Sequence, residues 1–560
     1  MDALHRWRLL LLGVLTLLLP LAALRSQTGS ERSLTPASVD SAAVLIGLSF
    51  TEAERDSMLE GLTECLSDYD VIRGVPLPNS YGPALRFDPR PQGFQPPAGG
   101  SEVRQSAPEE LPTDPVDVAF ATLGQLGELL RTRRISSVEL TGLYLRRLKE
   151  FGPRLECTVT LTEELAMEQA RQADEELARG VYRGPLHGIP YGLKDLFSTR
   201  GVRTTWGSVP FQNQMIDEDA TVVRRLREAG AVLLAKLSVG ELAWGDVWFG
   251  GRTRNPWNLE QGSSGSSAGS AAATAAGLVA FAIGTETWGS IVSPSTRCGT
   301  TGLRPTFGRV SRHGAMALSW TMDKVGPICR SVEDCALVFA SLCGADPRDP
   351  STVDYPFGYA PLPSLEGIRI GYLIKDIDSS ANSVRDLATL DVLERLGAEL
   401  VPMTLPAIPV GPLSLILSAE AAAAFDELTR SGQDDLMVRQ IKNAWPNVFR
   451  IARFIPAVEY IQGMRIRQLL IEQMPKVMAS VDLYVAPSLY GDNLLLTNLT
   501  GHPCVVIPNG FDEGGAPTSI SFIGQLYDEG RLLAVAKACQ DATDHHRRRP
   551  PVAVGEHQER

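Results

Sequence analysis

Three stretches of this chain carry side chains whose type and spacing suit chemistry at a carbonyl or phosphoryl centre. The first is Gly262-Ser-Ser-Gly-Ser-Ser-Ala-Gly-Ser270, which runs into Ala271-Ala-Ala-Thr-Ala-Ala-Gly277. Its small residues let the backbone fold back tightly, and the alanine-rich continuation predicts a helix. A loop that delivers N–H groups and hydroxyls to a helix start favours negative charge, either a phosphate or the oxyanion of an acyl transfer. A flexible Gly/Ser linker has the same composition, but here an alanine-rich segment and the apolar run Leu278–Ile283 follow directly. The second stretch, Gly188-Ile-Pro-Tyr-Gly-Leu-Lys-Asp195, sets a lysine among apolar and turn residues. Desolvation there would lower its pKa and make it a base, although most lysines lie at the surface. The third, Gly284-Thr-Glu-Thr-Trp-Gly-Ser-Ile-Val-Ser-Pro294, presents Ser290 at a tight turn after Gly289, as a nucleophile would be.

Together these segments resemble the amidase signature family. That family has a lysine in a GIP-x-G-x-KD segment, a serine in a GGSSGG-type loop and a second serine in a turn like D-x-G-G-S. The matching positions here are Lys194, Ser266 and Ser290. Family members place the two serines 24 positions apart, which selects Ser266 from the five serines of the loop and leaves Ser263 and Ser264 as spacers. Asn255-Pro-Trp-Asn258, Cys298–Ser311 and Thr500–Asp544 extend the likeness over roughly 116 to 550.

The resemblance implies an α/β fold with a central mixed twisted sheet flanked by helices, and a Ser-cisSer-Lys triad that hydrolyses a small-molecule carboxylic amide to the carboxylate and ammonia or an amine. Ser290 would attack the amide carbonyl, and Ser266, on a cis peptide, would relay the proton to a neutral Lys194. The backbone N–H groups of Thr287, Trp288 and Gly289 would hold the oxyanion, each such donor being worth about 3 to 4 kcal/mol. Ser267 would steady Lys194 or Ser266. The chain departs from the pattern at Glu286, where Asp is common, at Ser264 and Ala268, which replace loop glycines, and at Trp288, which replaces a glycine of the oxyanion turn. A backbone donor survives any side chain, so these departures bear on substrate scope more than on chemistry.

Three rival readings use the same residues. Gly265-Ser-Ser-Ala-Gly269 also fits G-x-S-x-G, with Ser267 as nucleophile and His313 or His502 as base. Such an elbow follows a strand, whereas Arg254–Gly262 reads as loop. The family also contains transamidating A-type subunits, which need a second protein and act on misacylated tRNA. The third reading is a catalytically inactive exported binding protein, and the presence of all three triad residues counts against it. Only His187, His313 and His502 lie in the body of the chain, without metal-ligand spacing, so neither a metal site nor a cofactor is expected.

The elements that must position these residues follow from periodicity and caps. Ser136-Ser-Val-Glu139 and Thr160-Leu-Thr-Glu163 have capping-box spacing, ahead of helices ending near Phe151 and Arg179. Helix, glycine and strand follow one another at Asp219–Leu237, at Asp391–Leu405 and near Asp482–Ala486, which independently argues for an α/β fold. Residues 1–26 read as a signal peptide or membrane anchor, with a basic flank before the apolar run Leu9–Leu24. Residues 27–115 read as an extension with short helices and a Pro-rich arm, 116–550 as the amidase signature domain, and 551–560 as a disordered tail. The protein is therefore expected to be exported, periplasmic or secreted, or tethered to a membrane by its N-terminus, with a homodimer left open. With a net charge of −12 and no massed basic face, no nucleic-acid partner is expected. The dense basic run Arg547–Arg549 reads as a solvated terminus. Eight dispersed cysteines without a CxxC pair read as buried thiols.

Overall fold

Eleven strands hydrogen-bond into one mixed sheet in the computed structural model, which describes residues 34–107 and 110–553. In chain order they are β1 (Thr158–Leu161), β2 (Pro190–Lys194), β3 (Val232–Leu237), β4 (Phe281–Glu286), β5 (Thr301–Arg304), β6 (Lys324–Cys329), β7 (Arg369–Tyr372), β8 (Glu399–Pro402), β9 (Leu483–Pro487), β10 (Cys504–Phe511) and β11 (Pro517–Gly524). Across the sheet the order is β1-β3-β2-β4-β6-β5-β10-β11-β9-β7-β8. Strand β2 runs parallel to both β3 and β4, while β6 runs antiparallel to β4. These four strands are buried along their whole length, as the apolar runs in β3 and β4 require. The architecture is the mixed sheet with flanking helices expected from the sequence. Because β2 and β4 are parallel, they end together at Lys194 and Glu286, and β6 starts beside them at Lys324, which pairs with Glu286. One rim of the sheet therefore gathers three ionisable residues.

The helices obey local signals with two exceptions. Ser136 opens the helix Ser137–Leu155 by a reciprocal cap: its N–H donates to Glu139 at 2.8 Å, and the Glu139 N–H donates to its hydroxyl at 3.1 Å. This helix continues one turn past Phe151, since Pro153 near its end removes only a single donor. The second capping signal fails, because Thr160 is taken into β1. The helix Glu163–Ala178 starts instead after Thr162, whose hydroxyl donates to the Leu233 carbonyl at 2.7 Å. The supposed loop Arg254–Gly262 is a two-stranded ribbon, turned by Asn255 accepting the Trp257 N–H at 3.1 Å. The basic run near the C-terminus remains largely exposed, though Arg549 lies 2.8 Å from Asp117 and over the Phe120 ring, and Arg548 stands over Phe511.

The chain divides into two compact units at Pro78 and Asn79. In the smaller, the helices Pro36–Ile46 and Glu52–Arg73 open with capping boxes at Thr35 and Thr51, and Arg55 pairs with Asp40 at 2.6 Å. In the larger, the proline-rich segment 79–107 is an extended strap. Its Phe87 packs edge-on against Phe307, Phe94 lies beside Tyr355 and Tyr527, and Val103 bridges to Tyr359. The segment read as a leader or anchor, 1–26, and the tail beyond 553 lie outside the described residues. No described helix is long and apolar enough to cross a membrane. The eight cysteines are unbonded to one another, six buried, Cys343 half-buried and Cys65 exposed.

A buried ion pair braces the strand that carries Lys194. Lys236 of β3 meets Asp195 at 2.9 Å with both side chains inaccessible to solvent. The amine also donates to the Phe197 carbonyl and to Thr204, and Asp195 accepts the Thr205 N–H at 3.0 Å and its hydroxyl at 2.5 Å. Replacing Lys236 by Met would leave that carboxylate buried without a cation, a loss of about 3 to 5 kcal/mol. Denaturant unfolding of Lys236→Met is expected to show it, and a midpoint equal to wild type would remove the pair from the stability of this region.

Candidate active site

Strand alternation sends Lys194 and Asp195 to opposite sides of β2. Asp195 is engaged by Lys236, so the Lys194 amine has no carboxylate within ion-pair reach among the described residues. It is fully buried, and its Nζ lies 2.9 Å from Ser266 Oγ, 3.0 Å from Ser267 Oγ, 2.8 Å from Thr285 Oγ1 and 3.4 Å from the Thr285 carbonyl. Burial pushes the amine well below its ordinary 10.5, and the nearby carboxylates of Asp323 and Glu286 oppose that without reversing it. A neutral amine has a free lone pair and can take a proton from the Ser266 hydroxyl.

The serine loop is bedded too closely for larger residues. A Cβ on Gly265 would come 1.8 Å from the Gly245 carbonyl, and one on Gly269 would come 2.5 Å from both the Cys157 carbonyl and the Ser238 N–H. The Gly265–Ser266 peptide bond is cis. Gly240 donates its N–H to the Ser266 carbonyl at 3.2 Å. Ser263 and Ser264 are more than spacers: Ser263 donates to the Ser264 carbonyl, and Ser264 Oγ lies 2.7 Å from Ser293 Oγ, which ties the loop to the segment after Ser290. The helix Ala268–Ala275 that follows is wholly buried, which its small side chains allow.

Ser267 stitches three segments. Its hydroxyl donates to the Thr285 carbonyl at 3.1 Å and accepts the Thr285 N–H at 3.2 Å, besides its contact with Lys194. Its N–H donates to the Ser290 carbonyl at 3.2 Å, which is where the two serine segments meet; the structure does not join the Ser266 and Ser290 hydroxyls by a hydrogen bond. Among the described residues, no histidine serves Ser267. His313 is 2.6 Å from Glu218, His187 is 3.2 Å from Glu176, and His502 contacts Thr500 with its pKa lowered by burial to about 3. The nucleophile-elbow reading therefore has no base.

Ser290 is 9% exposed, and Trp288 beside it is 46% exposed, so the indole stands out to solvent instead of filling the core. Gly289 has φ 88°, a left-handed conformation that favours glycine. Among the described residues, no protein group accepts from the N–H groups of Thr287, Trp288, Gly289 or Ser290. Free backbone donors around a serine are what a developing oxyanion needs. Glu286 fixes the far side of this turn, accepting the N–H groups of Ile291 at 2.8 Å and Val292 at 2.9 Å, and meeting Arg304 at 2.7 Å and the Asn498 amide at 2.8 Å. Burial pushes its carboxyl up, but the Arg304 guanidinium and these donors outweigh that and hold it at about 2. The departure from Asp thus keeps an anion under the turn. Thr285 and Asp323, which accepts the Thr287 hydroxyl at 2.5 Å, were not singled out from the sequence. Thr285 lies within the quoted Ser290 stretch, one residue before Glu286; nothing local marks Asp323.

This fold and site define the class: residues 139–492 match the Amidase family, and the chain belongs to the amidase signature enzymes. Among particular relatives, it is 35% identical over 489 residues to the A-type subunit of glutamyl-tRNA(Gln) amidotransferase from Carboxydothermus hydrogenoformans, covering 78% of this chain and 100% of that protein. The corresponding protein of Roseiflexus castenholzii is 36% identical, with 77% and 97% covered. Among solved structures, native peptide amidase from Stenotrophomonas maltophilia superposes with a TM-score of 0.69 at 30% identity, covering 78% of this chain and 99% of that one. The two curated relatives are thus amidotransferase subunits, and the solved structure is a peptide amidase.

Since the folded pKa of Glu286 lies below the ordinary 4.5, its stabilisation is complete above that value and disappears as pH falls towards about 2. The depression corresponds to about 3 kcal/mol. Glu286→Gln is expected to be less stable at neutral pH and to show a shallower acid-side decline in unfolding free energy. A decline as steep as in wild type would acquit Glu286 as its source.

Proposed function

We propose that this chain hydrolyses a carboxylic amide through an acyl-enzyme on Ser290, releasing ammonia or an amine. The observation that carries the reading is the buried Lys194 amine, unpaired with any carboxylate among the described residues and within hydrogen-bond distance of Ser266. Ser290 Oγ attacks the amide carbon as its proton passes to Ser266, whose own proton moves to Lys194. The N–H groups of Thr287, Trp288 and Gly289 hold the oxyanion. The Lys194 ammonium then returns its proton through Ser266 to the leaving nitrogen, and the C–N bond breaks. Water attacks the remaining ester as the same relay takes its proton; the C–Oγ bond then breaks, the relay returns that proton to Ser290 Oγ, and the carboxylate departs. Ser267, between Lys194 and Thr285, keeps the base in line.

A second reading shares this half-reaction and differs in where the ammonia goes. The amidotransferase relatives, matched over 97% to 100% of their length, favour a transamidating component that works with a partner on misacylated tRNA. Ammonia release from glutamine, other primary amides and peptide amides by the purified chain separates the two. Turnover by the chain alone supports the amidase, whereas turnover only with a co-purifying partner supports the transamidating form. Export or an N-terminal tether rests on the sequence of 1–26 alone, and N-terminal sequencing of the mature protein tests it.

A fluorophosphonate probe is expected to add to Ser290, seen by intact mass and peptide mapping, and not to add to Ser290→Ala. Lys194→Ala should slow labelling by about 10² to 10⁴-fold. Because Lys194 acts as the neutral amine, the rate should be full above its lowered pKa and fall as pH drops through it. A wild-type chain that fails to label would support the inactive binding protein instead.

A further inference from the structure

We infer that Asp323 is a positioning residue for the oxyanion turn, and that residues 79–87 of the N-terminal strap hold its loop in the working place. The inference rests on the amidase reading of Ser290. One oxygen of Asp323 accepts the Thr287 hydroxyl at 2.5 Å; the other accepts the N–H groups of Leu318 at 2.8 Å and Ser319 at 3.0 Å. A single carboxylate thus joins the turn that offers its free N–H groups around Ser290 to the loop 315–323.

That loop is itself gripped from three sides. From the helix Leu415–Ala424, buried Glu420 accepts the Ser319 hydroxyl at 2.6 Å, the Thr321 N–H at 3.1 Å and the Thr321 hydroxyl at 2.7 Å. From the helix Ala457–Val477, buried Arg467 donates to Thr321 Oγ1 at 2.7 Å and to the Thr321 carbonyl at 2.8 Å. The strap supplies the third side. Asn79 pairs with the backbone of Ala317 in both directions, its amide donating at 2.8 Å and its oxygen accepting at 2.7 Å. A Cβ on Gly82 would come 3.1 Å from the Trp320 ring. Phe87 lies under Arg467, whose guanidinium carbon is 3.6 Å from the ring centroid.

A bracing role alone would not require a carboxylate aimed at the turn. Backbone donors act on a transition state only if they are already aimed when charge develops, and Thr287 begins the run of three expected donors. Asp323 also acts on the base by charge. The charged groups felt by Lys194 are Asp323 and Glu286, the latter paired with Arg304, while Lys324 and Arg467 face the same cluster. Removing the Asp323 charge takes an anion from the Lys194 ammonium, so the pKa of the base drops further and the acid limb of the rate profile moves to lower pH.

The test is the rate and pH profile of fluorophosphonate labelling at Ser290 in the full chain. Wild-type labelling establishes the underlying reading; its absence overturns that reading and this inference with it. Asp323→Asn and Thr287→Val are each expected to lower the maximal rate about tenfold with the half-saturating probe concentration unchanged, and the double variant should be no slower than either single one. Asn79→Ala should lower it about threefold by loosening the loop, while Arg104→Ala, in the strap but away from the loop, leaves it unchanged. The acid limb should move in Asp323→Asn and stay in Thr287→Val. Single effects that multiply in the double variant, or rates unchanged while the melting temperature falls, would overturn the inference. Should Asp323→Asn fail to fold, near-isosteric Thr287→Val and Asn79→Ala decide it alone.

Discussion

The site depends on an amine buried without an anion. An ammonium in a protein interior is tolerated when a carboxylate repays its lost hydration, and otherwise the group sheds its proton. Both environments occur side by side here. Lys236 keeps Asp195 at 2.9 Å, whereas Lys194, the residue next to Asp195 in sequence, has only hydroxyls and a carbonyl around it. The alternation of β2 makes this separation: the carboxylate adjacent in the chain faces the other side and is consumed there. If Asp195 faced Lys194, the result would be an ion pair and no base.

Around that amine, the hydrogen bonds of the structure hold a turn still. Glu286 fixes the N–H groups after Ser290, Ser267 reaches the Ser290 carbonyl, Ser264 meets Ser293, and Asp323 holds Thr287. The donors left over are those without a protein acceptor, at 287 to 290. Rigidity of this kind suits an oxyanion site, because donors aimed in advance need no reorganisation when charge appears. It also explains why Glu in place of Asp at 286, and Trp in place of glycine at 288, are compatible with the arrangement: one keeps the buried anion, and the other leaves the backbone donor while its ring turns to solvent.

Much of this was legible in the sequence because it is local. Lys194, the serine spacing and the glycine-rich loop lie within short stretches, and the cap at Ser136 works through four consecutive residues. The cap signal at Thr160 misled for an equally plain reason, since strand pairing with β3 claimed the residue first. Arg254–Gly262 looked like loop because a two-stranded ribbon that short has almost no periodicity. The braces could not be read at all. Asp323, Glu420, Arg467 and Asn79 come from four remote segments, and none carries a pattern that distinguishes it from an ordinary surface residue until the fold brings them together.

Direct observation of the protonation state of Lys194 reaches the centre of this chemistry. With lysines labelled by ¹³C at the ε position, the Lys194 resonance, assigned by its absence in Lys194→Ala, can be followed across pH. A midpoint well below the ordinary 10.5, with the same ionisation governing Ser290 labelling, is the predicted result. A Lys194 that titrates near its ordinary value, or stays charged where Ser290 still reacts at full rate, would contradict it.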